Sequence, residues 1–401
     1  MTDQQIDFDV VIVGGGLTGA ALALALTQPP LALRVGLLNA SNSNANELPS
    51  FDERVLALSE GSRRLLVQLG VWAALVFDAC PIRTIHVSDR GQFGRTVLTA
   101  SEQQLDALGQ VIALRVLGQQ FYRALDQRAG ITRLHGKISA FQQTESGVQL
   151  TLADQDETQT LQTRVLLGAD GGPSGLRAMA GLPVDVVDYE QSAVIATVRA
   201  ERAHQHWAYE RFTETGPLAL LPMTDNRLSL VWTQTPEEAA RLLTLSDADF
   251  LRELQTAFGW RLGKLLQVGV REKFDLRRLR SPVRRQGRLL LMGNAATTLH
   301  PIAGQGFNLA LRDAMAFAEA LRQQQVSGQD WATPAALDAF VRSRQADADT
   351  VAGITDSLVR LFSNRYPLLR PLRGLALSAL DALPAAKRVV ASGAMGLGQR
   401  G

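Results

Sequence analysis

The chain holds 401 residues, 46% of them hydrophobic, 20% charged and 6% aromatic. That size suits two or three domains or one large one, and the composition excludes a disordered polyampholyte or a small disulfide scaffold. Lys and Arg number 41 against 39 Asp and Glu, a net charge of +2, so nothing in the overall balance points to nucleic acid as a partner. Cys80 is the one cysteine. No intramolecular disulfide and no cysteine cluster for a metal can form, and a reducing, cytoplasmic setting is expected.

The run Val10 to Leu26 carries no charge. It is too short to span a bilayer, it contains four glycines and a threonine, and acids rather than basic residues precede it, so it reads as a buried strand followed by a buried helix. Phe8 to Val13 is β-branched and apolar, as a strand buried on both faces of a parallel sheet requires. Gly14, Gly15, Gly16 and Gly19 then give Gly-x-Gly-x-x-Gly, a helix pattern runs from Ala20 to Gln28 and stops at Pro29-Pro30, and a second strand covers Arg34 to Leu38. In such a unit the first glycine permits a tight turn, the second lets backbone N–H groups approach a pyrophosphate, and the third lets helix and strand pack closely. The phosphates lie at the helix N-terminus, where unpaired N–H groups favour anions. Where Asp or Glu usually accepts the ribose hydroxyls, this chain has Asn39, and a neutral acceptor holds a ribose less well.

Ile131 to Leu167 alternates apolar and polar residues and reads as an antiparallel meander. Val165 to Ser174 is an apolar strand running into a second glycine turn, with Asp170 at the strand's carboxyl end, where open α/β sheets bind ligands, and with Ser174 placed to cap a helix. Further strands are expected at 191–200, 207–212, 218–223 and 227–233, with Thr224-Asp225-Asn226 as a hairpin turn. Arg288 to Met292 leads into a third turn at Gly293-Asn294, and then into His300-Pro301-Ile-Ala-Gly304-Gln305-Gly306-Phe-Asn308, after which helical spacing runs from Leu309 to Gln323. A helix beginning beside this loop would aim N–H groups at a developing anion. Helical spacing resumes over Pro334 to Leu361. From Leu358 to Gly398 six basic residues (Arg360, Arg365, Arg370, Arg373, Lys387 and Arg388) face only Asp381. Such a stretch suits an amphipathic helical pair packed on the body, or a surface that meets lipid. The histidines have no acidic or cysteine companions in sequence, so no metal site is expected.

In this order the three glycine turns resemble the FAD-dependent aromatic hydroxylases of the para-hydroxybenzoate hydroxylase type. The stretch from His300 to Asp313 is similar to the ubiquinone-biosynthesis hydroxylases, with Ala310 where that family usually has glycine. Phe51 to Leu58, Leu69 to Trp72, Val87 to Gly91, Gly216 to Met223 and Asp356 to Arg365 extend the likeness over nearly the whole chain. The resemblance implies an α/β fold with an α+β insert: a Rossmann-like FAD-binding domain (1–75, 100–182 and 280–330), an inserted antiparallel-sheet substrate domain (76–99 and 183–279) and a helical C-terminal region (331–401).

Carried onto matching positions, Gly14, Gly16 and Gly19 would hold the FAD pyrophosphate, and Asn39 would stand at the ribose. Arg54 would reach the cofactor, and Gln119 would be a flavin contact. Asp170 is the acid associated with FAD and the nicotinamide cofactor. Gly293 and Asn294 replace the family's Gly-Asp pair near the ribityl chain, and Pro301, Gly304, Gln305 and Gly306 would line the flavin ring. His300 and Pro301 are the flavin-facing candidates for a chemical role. Read without the resemblance, Arg54 is a solvated loop arginine, Gln119 an ordinary surface or packing amide and His300 a structural histidine.

The family implies that NAD(P)H, expected to be NADPH, reduces FAD, that O2 adds at flavin C4a, and that the hydroperoxide passes a hydroxyl to a phenol ring. No second Gly-x-Gly-x-x-Gly follows a strand, so the nicotinamide would dock transiently. Gly293-Asn294 and Phe258 to Gly263 are most similar to the family members that hydroxylate 2-polyprenyl-6-methoxyphenol at ring carbon 1. Partners so implied are the polyprenylated phenol, O2, and a ubiquinone-biosynthesis complex or lipid carrier, with peripheral contact at the inner membrane and no nucleic acid. Hydroxylation at another ring carbon, flavin-dependent reduction of an isoprenoid chain and non-catalytic prenyl-lipid binding suit the same fold.

Overall fold

The computed structural model describes residues 6–39, 54–154, 157–298, 305–362, 374 and 378–396. Phe8–Val13 lies at the centre of the first sheet, parallel to Val35–Asn39 on one side and to the second half of Glu157–Gly168 on the other, with Val10 facing both Val35 and Val165. Ile131–His135 extends this parallel set beyond Val35–Asn39, and Leu289–Leu291 extends it beyond Glu157–Gly168. The uncharged run is therefore a strand buried between neighbours, followed by the helix Leu17–Leu26. Every residue of that helix but Thr18 is buried, because it is wedged between the sheet and the helices Leu114–Asp126 and Gln305–Val326 in the largest apolar core. A helix that is apolar all round needs such a position.

The expected meander is only partly antiparallel. Lys137–Gln143, Val148–Asp154 and the first half of Glu157–Gly168 pair as hairpins. Ile131–His135 instead joins Val35–Asn39 in parallel, since the helix Leu114–Asp126 returns the chain in the direction of the sheet as a crossover does.

Among the described residues the second sheet has nine strands. Asp185–Ala200, Arg227–Gln234, Gly216–Pro222 and Trp207–Thr213 are neighbours in that order, and Thr84–Asp89 with Arg95–Thr99, from far earlier in the chain, continues it beyond Trp207–Thr213. Asp225 and Asn226 form the turn expected at 224–226, both with positive φ. One face of this sheet packs Val194, Leu218, Leu220 and Trp232 against Phe250, Leu254 and Phe258 of the helix Asp247–Phe258. By the two-residue alternation of strands, its other face looks toward the carboxyl ends of the parallel strands. A three-stranded sheet (Val55–Ser59, Gly109–Ala113, Cys80–Ile82) stands beside them.

The C-terminal helix Pro384–Ala394 buries Ala391, and Met395 beyond it, against Leu98 and Leu108, and Lys387 pairs with Glu102 and Asp381. Lys387 is thus a packing cation, whereas Arg365, Arg370 and Arg373 lie outside the described residues. Among those residues no helix is long and apolar enough to cross a membrane.

Candidate FAD and substrate site

The three glycine turns all follow parallel strands, and they converge at one end of the first sheet. Gly14 has φ +111°, and a Cβ there would stand 2.4 Å from the Ala169 carbonyl oxygen, so the first two turns touch only because the residue is glycine. A Cβ on Gly19 would lie 1.9 Å from the Gly14 carbonyl oxygen, which is the close helix–strand approach. Gly16 is the N-cap of Leu17–Leu26 and faces open space. Gly14, Gly16 and Asn39 line a cavity of about 1250 Å³, larger than the roughly 300–1,000 Å³ of a single small-ligand pocket.

Asp170 lines the same cavity. Its Oδ2 accepts from the Leu176 N–H at 3.1 Å, while among the described residues its buried Oδ1 has no partner. Ser174 caps the next helix, accepting from the Arg177 N–H at 3.0 Å. The buried Arg177 guanidinium then donates to the carbonyls of Gly172 (2.7 Å) and Ala295 (2.8 Å), tying the second turn to the third. Gly293, with φ +57°, packs on Thr18, and Asn294 lines the cavity with its carbonyl accepting from Thr298 Oγ1 at 3.2 Å. Gln305 and Gly306 open the helix Gln305–Val326 at the cavity wall. Arg54 also lines the cavity, its guanidinium carbon 4.8 Å above the Phe274 ring of the second sheet.

Gln119 stands part-buried on Leu114–Asp126 away from the cavity lining. His300, Pro301 and Gly304 lie outside the described residues. Sequence reasoning did not single out Tyr122, whose hydroxyl donates to the Gly15 carbonyl at 2.8 Å and whose phenol burial pushes up. It also passed over the role of Asn308, which accepts from the Ser59 N–H at 3.0 Å and donates to the Ala57 carbonyl at 2.9 Å, clamping Val55–Ser59 to the long helix. An asparagine on the apolar face of a helix pattern was the available signal.

The fold does give one histidine a cysteine companion. Cys80 Sγ lies 3.6 Å from His206 Nδ1, with His204 adjacent. His204 is already engaged at both nitrogens: Nδ1 accepts from the His206 N–H at 3.0 Å, and Nε2 donates to the Met223 carbonyl at 2.9 Å. Burial pushes the Cys80 thiol up to about 11 and both imidazoles down. A neutral hydrogen-bonded knot accounts for this group, so the histidines carry no functional reading.

These residues fit FAD: a glycine cradle at a helix N-terminus for the pyrophosphate, an amide at the ribose position, and a carboxylate at the end of a parallel strand on the wall of a cavity with space left over. A dinucleotide at the switch point of one sheet, with an apolar second sheet across from its redox end, is the arrangement of the flavoprotein aromatic hydroxylases. The solved p-nitrophenol 4-monooxygenase of Pseudomonas putida shares the fold, with a TM-score of 0.79 at 18% identity over 98% of this chain and 99% of that one. A family model described as an FAD binding domain matches residues 7–354. Ubiquinone hydroxylase UbiL of Rhodospirillum rubrum is 36% identical over 97% of this chain and 89% of its own. The 3-demethoxyubiquinol 3-hydroxylase of Escherichia coli is 33% identical over 99% and 100%. The chain belongs to the FAD-dependent ubiquinone-biosynthesis hydroxylase family, and it is an FAD-dependent monooxygenase.

Asn39 is the departure to test. Its side chain stands at the cavity wall, with Nδ2 3.5 Å from the Tyr122 hydroxyl. Asn39→Glu is expected to tighten FAD about fivefold, ~1 kcal/mol, by making the ribose contact charge-assisted. Titration of apoprotein with FAD measures it, and an equal or poorer affinity refutes it.

Proposed function

We propose that the protein hydroxylates the ring of a 2-polyprenyl-6-methoxyphenol at carbon 1, taking electrons from NAD(P)H, expected to be NADPH, and one oxygen atom from O2. The observation that carries this reading is the continuity of the cavity. From the Gly14–Gly16 turn it runs beneath the apolar face of the second sheet, past Ile195, Val231 and Phe212, to Leu380 and Val390 at the C-terminal end of the chain. Nucleotide, ring and part of an isoprenoid chain suit one continuous, largely apolar space. Bound FAD, once reduced, supplies the oxygen-activating chemistry. The chain's own contribution is to hold the pyrophosphate at the Leu17–Leu26 N-terminus, orient the ring and keep water out.

The ring carbon rests on the Gly293-Asn294 and Phe258 to Gly263 stretches, whereas the relative from E. coli is named for 3-hydroxylation. Quinone-intermediate analysis in cells lacking the protein decides it. Accumulated 2-polyprenyl-6-methoxyphenol supports carbon 1, and a later precursor moves the reaction to another carbon. Hydroxylated product that forms without O2 would overturn the oxygenase reading itself.

A substrate of this kind resides in a bilayer or on a carrier, so we place the enzyme in the cytoplasm with peripheral membrane contact. Leu383 and Val389 are 57% and 73% exposed on and beside the helix whose Val390 lines the cavity. Changing both to Ser is expected to lower recovery with anionic liposomes in flotation severalfold, at unchanged FAD content. Equal flotation of both proteins would remove this helix from the contact.

A further inference from the structure

The cavity-facing side of the second sheet is largely apolar: Thr96, Ser229 and Thr233 bring hydroxyls to it, and Glu210 brings a carboxyl into its middle. In Trp207–Thr213 the alternation of side chains is fixed by packing. Trp207 and Tyr209 stack on each other, and Tyr209 meets Phe258 edge-on at 5.3 Å on the helical side, so Ala208, Glu210 and Phe212 face the cavity. Glu210 lies opposite Val87 on one neighbouring strand and Ala219 on the other. An acid thus occupies a site where the pattern of the sheet asks for an apolar residue. Among the described residues nothing donates a hydrogen bond to it or pairs with it, and burial alone pushes its carboxyl up to about 7. It remains part-accessible only because it lines the cavity.

Its charged surroundings are few. Asp89, two residues beyond Val87 on the same side of its strand, stands diagonal to Glu210. Asp275 and Arg277 lie toward the far end of the sheet, and Arg54, Lys137 and Asp170 belong to other walls of the cavity. Arg211 is on the opposite side of the strand, and the charges that act on it are Arg261, Arg90 and Asp89. A lone carboxyl kept in an apolar wall is costly unless a ligand supplies its partner, and such departures from local rules gather at functional sites. The partner must be a hydrogen-bond donor on a mostly apolar body. A phenol meets that description, and its hydroxyl, with an ordinary value near 10 as in tyrosine, is activated when its proton is drawn away.

Resting on the hydroxylase reading above, we propose that Glu210 is a catalytic residue: its carboxylate accepts the hydrogen bond of the substrate's phenolic hydroxyl and takes its proton as the ring is attacked. The phenol O–H bond breaks and a carboxyl O–H bond forms, leaving electron density on the ring, and the proton returns to water when product leaves. No oxidant or reductant beyond those of the hydroxylation is consumed.

The test uses FAD-loaded enzyme with 2-farnesyl-6-methoxyphenol as probe, comparing wild type with Glu210→Gln and Glu210→Asp. Glu210→Gln is expected to keep its flavin spectrum and its NAD(P)H oxidation while losing hydroxylation about 100-fold. It should also lose the inflection near pH 7 in kcat/KM and the phenolate absorbance band that the probe develops on wild type. Glu210→Asp should recover part of all three. Wild-type rate and pH profile in Glu210→Gln overturn the proposal, as does loss of FAD by both variants, which makes the residue structural. A wild type that converts no phenol overturns the hydroxylase reading and this one with it.

Discussion

Gly16→Ala is expected to lose FAD while the protein stays folded, and Gly19→Ala to lose both FAD and stability. The two positions are three residues apart in one turn, and their surroundings differ in kind. A methyl group on Gly16 meets no protein atom within 4 Å, so the fold has no objection to it. It would project into the space where the N–H groups of the helix N-terminus meet the pyrophosphate. The affinity for FAD should fall at least tenfold, about 1.4 kcal/mol or more, with thermal stability of the apoprotein unchanged. A methyl on Gly19 would sit 1.9 Å from the Gly14 carbonyl oxygen, and a backbone atom cannot swing aside as a side chain does. Strand and helix must separate, at a cost of about 1–3 kcal/mol from overpacking, and the turn they shape is displaced with them. Flavin absorbance after gel filtration and melting of the FAD-free proteins separate the two cases. If Gly16→Ala retains its flavin, the open space above Gly16 is not where the phosphates bind.

The same contrast explains how much of the molecule was legible in the sequence. The first turn could be read because its strand, glycines and helix are contiguous, and each residue type answers a local geometric demand. Four strands of the second sheet, at 191–200, 207–212, 218–223 and 227–233, could be read from alternation and from turn residues such as Asp225 and Asn226, whereas Thr84–Asp89, Arg95–Thr99 and Glu272–Arg280, which join it from elsewhere in the chain, were not. Ile131–His135 could not be assigned its partner, because alternation gives a strand but not the direction of its neighbour, and the helix before it decided that. Glu210 was hidden for a related reason. In isolation, Trp-Ala-Tyr-Glu-Arg-Phe offers two faces, and only the packing of Trp207 and Tyr209 on the helical side shows that the acid points into the cavity. The Cys80 and His206 contact joins residues more than a hundred positions apart, which no spacing motif describes. Gln119 shows the converse, since a match of position did not bring its side chain to the cavity lining.

Asp313→Ala is expected to be among the most destabilising single changes in the chain, although Asp313 closes the stretch most similar to the family. The structure places it in a buried charge cluster. Its Oδ1 accepts from Arg344 Nε at 2.8 Å, and Arg284 Nη1 stands 3.9 Å from its Oδ2. Arg344 also bonds Asp347, and Arg284 donates to Thr297 Oγ1 at 3.0 Å. Asp313, Arg284 and Asp347 are each less than a tenth exposed. The cluster joins the helices Gln305–Val326 and Pro334–Phe362 to the segment that follows the Gly293-Asn294 turn. Without Asp313 the Arg284 guanidinium, already pushed down by burial, loses its nearest anion among the described residues, and Arg344 keeps Asp347. Removing one partner of a buried pair costs about 3–5 kcal/mol, a large part of the roughly 5–15 kcal/mol that holds a typical domain folded. Asp313→Asn should fall between, since an amide still accepts from Arg344 but carries no charge. Denaturant unfolding of the FAD-free proteins measures the loss directly, and any fall in FAD content should follow it rather than exceed it. A loss below about 0.5 kcal/mol, the range of ordinary surface changes, would mean that water reaches the cluster. Asp313 would then need a role nearer the cofactor to account for its place in the motif.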